Sequence, residues 1–147
     1  MNEKKLILPN ERRLVINNVL SDSARLYPFL QEIGKELALP AAMENQLVLA
    51  LEEALVNSIQ YAYPKGTEGT IVLLANYEAD SHQLRFTLID QGTPFDPTTV
   101  PTVDTTLALE DRPNGGLGIF LIKRIMDKVE YNYTEGSNCL NLWKRIV

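Results

Sequence analysis

A chain of 147 residues is the size of one domain and can bury a proper core without disulfides. With 45% hydrophobic and 22% charged residues it reads as globular, and no apolar run approaches the roughly 18–20 residues that span a bilayer. A net charge of −5 argues against non-specific nucleic-acid binding, and a lone Cys139 with a lone His82 excludes an internal disulfide or a cysteine–histidine zinc site.

Residues 12–20 are rich in β-branched side chains and predict a strand. Ser21-Asp22-Ser23 offers N-cap residues for a helix over about 22–38, with Leu26, Phe29, Leu30, Ile33 and Leu37 on one face. Pro40 suits the start of a second helix, running to about Tyr61 with an apolar stripe of Leu47, Val48, Leu51, Leu55 and Ile59. Pro64 to Gly66 stops it. Two alternating segments, about 69–77 and 83–90, predict an antiparallel pair across the polar turn that carries His82. Residues 91–114 hold four prolines and no periodicity, which is long for a loop without a function. A helix over about 116–127 and strands near 128–134 and 138–146 complete the chain. Lys123, Arg124 and Lys128 read as a solvated helix face, Cys139 as a small core residue and Trp143 as packing for the last strand.

That order predicts an α+β fold, a two-layer sandwich of a mostly antiparallel sheet with helices on one face. The whole of 1–147 is expected to form one domain, without repeats or linkers. The few apolar residues near the N-terminus are too short a run for a signal peptide, so the expected compartment is the cytoplasm.

Three short motifs carry the chemistry. Glu53 and Asn57 stand at i and i+4, so both project from one side of the second helix. An Asn oxygen is a hard ligand suited to Mg²⁺, and a neighbouring carboxylate could orient or deprotonate a hydroxyl or water. The same spacing also occurs on ordinary solvated helix faces. Asp90, at the end of an apolar strand, could accept the exocyclic N–H of adenine, with Gly92 allowing close backbone approach; Asp-x-Gly also makes plain turns. Gly115-Gly116-Leu117-Gly118 precedes or opens a helix, where free backbone N–H groups bind phosphate at the positive end of the dipole. A glycine-rich turn for tight helix packing is the alternative. Neither a Walker A motif nor a GxGxxG fingerprint is present.

Together these segments resemble the Bergerat-fold (GHKL) ATP-binding domain of gyrase, its related heat-shock chaperone and sensor histidine kinases. The chain is most similar to the small stand-alone anti-sigma factor serine/threonine kinases of bacteria. Residues 51–64, containing Glu53, Asn57 and Ala62-Tyr63-Pro64, resemble the N box of that family. Asp90-Gln-Gly-Thr-Pro-Phe-Asp-Pro97 resembles the first glycine box, and 115–123 the second. The resemblance implies that Glu53 is the catalytic base, Asn57 the Mg²⁺ ligand and Asp90 the adenine reader. Gly92 would line the base pocket, Gly115, Gly116 and Gly118 would contact phosphates, with Leu117 in the same segment, and residues 98–114 would form a lid over ATP. It implies a STAS-type anti-anti-sigma protein as phosphoacceptor, a sigma factor as competing partner, and a homodimer, with no direct nucleic-acid or membrane partner. No fused phosphoacceptor helix pair is seen that would make the chain a sensor kinase. Where the family often has histidine this chain has Tyr61, which leaves ATP binding in place and bears on turnover. Arg112 in the lid could reach the phosphates or face solvent. Two other classes fit the sequence: an ATP-binding module that sequesters a partner with little or no transfer, and an α+β interaction protein that binds no nucleotide.

Overall fold

Strands β1 (Arg12–Asn17), β2 (Thr70–Glu78), β3 (Gln83–Asp90), β4 (Lys128–Thr134) and β5 (Ser137–Arg145) form one sheet. Its order is β1-β2-β3-β5-β4, and every neighbouring pair is antiparallel. The computed structural model describes residues 11–64, 66–99 and 116–146. Helices α1 (Leu26–Leu37), α2 (Ala41–Asn57) and α3 (Gly116–Ile125) supply the second layer, giving the expected α+β sandwich.

Strand alternation dictates which face is covered. Along β3 the buried positions are Leu84, Phe86, Leu88 and Asp90, while Arg85, Thr87 and Ile89 between them are half-buried. Residues two apart point the same way, so the buried set lines one face. On β5 the matching set is Asn138, Leu140 and Leu142. These side chains share one core with Leu26, Leu30, Ile33 and Leu37 of α1 and with Leu47, Leu51 and Leu55 of α2. Two inward positions break the apolar pattern, Asp90 and Asn138, and the register pairs them directly.

Helix α2 is buried on more than its leucine stripe. Ala50, Ala54 and Asn57 are also buried, because α2 touches both α1 and α3. A helix between two others loses the one-sided pattern that marks a surface helix.

Several expectations need correcting. The first strand ends at Asn17, and residues Leu20–Arg25 form a 3₁₀ turn before α1. Asp22 caps no helix; its Oδ2 accepts the Asn17 N–H at 2.9 Å and fastens that turn to β1. Cys139 is only half-buried, since it lies on the outward phase of β5 between Asn138 and Leu140. Lys128 belongs to β4 and not to a helix face; its Nζ sits 4.8 Å from the centre of the half-buried Trp143 ring. Among the described residues, no helix is long and apolar enough to cross a membrane.

Candidate nucleotide site

The i, i+4 pair on α2 faces α3, with Asn57 buried and Glu53 half-buried. Asn57 is 4% exposed, and a Cβ placed on Gly118 would lie 2.8 Å from Glu53 Oε2 and 3.7 Å from Asn57 Nδ2. A side chain at 118 would push the end of the Glu53 side chain aside, so glycine here leaves the carboxylate where it stands against α3. Packing α3 here brings the second glycine segment against the N-box residues. Among the described residues, neither the Glu53 carboxylate nor the Asn57 carboxamide has a hydrogen-bond partner. Burial lifts the Glu53 pKa above the ordinary carboxylate range, and the neighbouring Glu52 charge adds to it. A raised value makes a carboxylate a stronger base, as proton abstraction near neutral pH requires.

Beyond Asn57 the helix widens into a π turn, Ser58–Ala62. Such bulges are frequent at functional sites because they re-aim the residues that follow. Here the turn delivers Ala62 and Tyr63 to the loop after β3. Ala62 O accepts the Thr93 N–H at 2.6 Å, and Tyr63 Oη donates to Thr70 O at 2.8 Å while accepting from Gln91 N at 3.0 Å. A Cβ on Gly92 would run into the Ala62 carbonyl, so this glycine lets loop and helix end touch. Gly92 thus has a packing reason of its own, beside any contact with a bound base.

Asp90 closes β3 at the same end of the molecule, 4% exposed. Its Oδ1 accepts the Gly92 N–H at 2.9 Å and the Asn138 amide at 2.8 Å. Asn57, Asp90 and Asn138 line one cavity with Phe95, Pro97 and Tyr131. The space enclosed is small, about 20 Å³, roughly room for one water. Phe95 helps close it and stacks on Tyr61, ring centres 5.3 Å apart. The Tyr61 hydroxyl is buried without a partner among the described residues.

The three motifs are therefore brought to one end of the sheet. Gly116 opens α3 and Gly118 touches Glu53, whereas Gly115, Arg112 and the side chain of Leu117 lie outside the described residues. Of the expected lid, Thr98 and Thr99 are described, in a 3₁₀ turn Pro97–Thr99 whose Thr98 carbonyl accepts from Lys123 Nζ at 3.2 Å. Sequence reasoning missed Asn138, and gave Tyr63 no role beyond its place in the Ala62-Tyr63-Pro64 segment. The signal for Asn138 was present: a polar residue on the inward phase of an otherwise apolar strand.

A family model described as the histidine kinase-like ATPase domain matches residues 19–144. The chain belongs to the histidine kinase-like ATPase domain family. It is similar to serine-protein kinase RsbW of Halalkalibacterium halodurans, 35% identical over 96 residues, 63% of this chain and 57% of that one. RsbW of Listeria monocytogenes is 34% identical over 96 residues, 63% of this chain and 60% of the relative. RsbW of Bacillus cereus is 29% identical over 100 residues, 65% and 61% of the two chains. The matches thus span about three-fifths of each relative's length. The crystal structure of the RsbU and RsbW domains of a Mycobacterium tuberculosis protein shares the fold. Its TM-score is 0.66 at 15% identity, covering 93% of this chain and 32% of that one.

Proposed function

We propose that the chain is an ATP-dependent protein-serine/threonine kinase that acts as an anti-sigma factor in partner switching. The observation that carries this reading is the meeting of Glu53, Asn57 and Gly118 beside the cavity that Asp90 lines. The donor set suits the nucleotide: Gly118 brings α3 against the Glu53 carboxylate, the Asn57 amide has no partner among the described residues, and Asp90 offers a carboxylate oxygen. Asn57 would hold Mg²⁺ together with the phosphates, the usual way that ion is bound. Bound MgATP would supply the phosphoryl group and the charge that neutralises its oxygens. Glu53 would accept the proton of the attacking hydroxyl, with its raised pKa suited to that task. Asp90 would read the 6-amino group of adenine, Gly92 would line the base pocket, and Gly115, Gly116 and Gly118, with Leu117 between them, would border the phosphates.

Support for the substrate class comes from the relatives, which are named serine-protein kinases. A STAS-type anti-anti-sigma protein is the proposed phosphoacceptor and a sigma factor the competing partner, with the kinase acting as a cytoplasmic homodimer. The contrasting reading is an ATP-binding module that sequesters a partner and transfers little phosphate. Tyr61 favours it, because its ring is occupied by stacking on Phe95 and its hydroxyl has no partner among the described residues. Calorimetry with ATP, in Mg²⁺ and then EDTA and with GTP as control, tests the site. Tight, Mg²⁺-dependent, adenine-selective binding is expected; no binding at millimolar ATP would end both readings. Radiolabel transfer to serine on a STAS-type protein then separates kinase from module.

A further inference from the structure

Asn138 faces Asp90 across the β3–β5 pair, and both side chains are buried, at 5% and 4% exposed. Every hydrogen-bonding position of its carboxamide is used. Nδ2 donates to Asp90 Oδ1 at 2.8 Å and to Thr93 O at 2.9 Å. Oδ1 accepts the Phe95 N–H at 3.0 Å and the Tyr131 hydroxyl. A carboxamide has two donors and two acceptor lone pairs, so no capacity is left over. With the Gly92 N–H, two donors fall on Asp90 Oδ1. Among the described residues none reaches Oδ2, and Asp90 lines the cavity.

We propose that Asn138 is a specificity-determining positioning residue, which locks the Asp90 carboxylate so that Oδ2 presents one fixed acceptor to a 6-amino purine. This rests on the adenine-nucleotide reading above, and adds to it the group that makes the reader selective. A carboxylate held through one oxygen by two donors cannot turn. A 6-oxo purine, which brings an acceptor to the same place, would then meet a fixed negative oxygen. An unlocked carboxylate could swing aside or admit a bridging water, and both purines would be tolerated. The same amide ties Thr93 and Phe95 to the sheet, so the wall of the base pocket and its reader are set by one side chain. Neither sequence neighbour can substitute: Cys139 lies on the outward phase of β5, and Ser137 is one residue out of register with Asp90.

The test is the ratio of ATP to GTP affinity, measured by calorimetry on the full chain with Mg²⁺. The unaltered protein is expected to prefer ATP. In Asn138→Ala the ratio should fall by about tenfold, the order expected for one lost hydrogen bond to a charged group. A purely structural role would weaken both nucleotides equally; an unchanged ratio in folded Asn138→Ala therefore overturns the proposal. If that variant does not fold, Asn138→Ser decides. Its shorter hydroxyl cannot serve Asp90 and the 93–95 chain together, so the ratio should fall, and a full ratio overturns the assignment. Failure of the unaltered protein to bind ATP defeats the nucleotide reading itself, and the proposal with it. ATP binding without preference over GTP defeats the role of Asn138 alone.

Discussion

Glu53 and Asn57 owe their proximity to one turn of α2, whereas Asp90 and Asn138, 48 residues apart, meet only because β3 and β5 pair. The two ends of the site also differ in how their polar groups are used. Asn138 has all its hydrogen bonds, and Asp90 has one oxygen fully engaged. Glu53 and Asn57 have none among the described residues. Asn57 is buried and lines the cavity, while Glu53 is half-buried against α3, so neither is spent on holding the described part of the fold together. A saturated network is rigid and suits recognition. A half-buried carboxylate of raised pKa suits proton transfer. One end would select the base, and the other would act on the phosphate.

The sharpest way to break that contrast is Glu53→Gln. Phosphoryl transfer should drop by about 10²–10⁴, the usual share of a general base, while ATP affinity persists. Full single-turnover transfer by the variant would remove Glu53 from the chemistry. Asn57→Ala should cut Mg²⁺-dependent ATP affinity on the order of a hundredfold, and leave EDTA-condition binding and the melting curve little changed. Equal affinity with and without Mg²⁺ in both proteins would show that Asn57 holds no cation.

Substitution at Gly92 probes the join between the two ends. Its Cβ would meet the backbone of Ala62, which cannot give way as a flexible side chain can. Gly92→Ala should therefore destabilise the fold by about 1–3 kcal/mol, read from urea unfolding, the usual cost of overpacking. A neutral outcome would mean that the loop after β3 is not clamped to the π turn. The smallest effect is expected from Glu52→Gln. Burial is the larger cause of the raised Glu53 pKa and the Glu52 charge the smaller. A base works only when deprotonated, so the transfer rate should fall as pH drops through the Glu53 value. Removing Glu52 should shift that acid limb a little toward lower pH. A limb that stays put would assign the rate-controlling titration to another group.

The helices and strands were legible because their signals are local. The alternation in Leu84 to Asp90 and the apolar spacing in Leu26 to Leu37 hold without reference to the rest of the chain. Boundaries failed where a residue had two uses. Asp22 looked like a helix cap and instead takes the Asn17 N–H, because the chain turns back on β1 before α1 starts. Lys128 kept the helical phase of Lys123 and Arg124 in sequence but falls beyond the end of α3, in β4.

By itself the sequence determined the elements, the three motifs and the side of α2 that carries Glu53 and Asn57, since one helical turn makes them neighbours. Only the tertiary structure decided that this side meets Gly118, that Gly92 lies against Ala62, and that Asn138 holds Asp90. Those contacts depend on strand register and on how α3 packs against α2. Neither is written in any local pattern, because each joins residues that the chain keeps far apart.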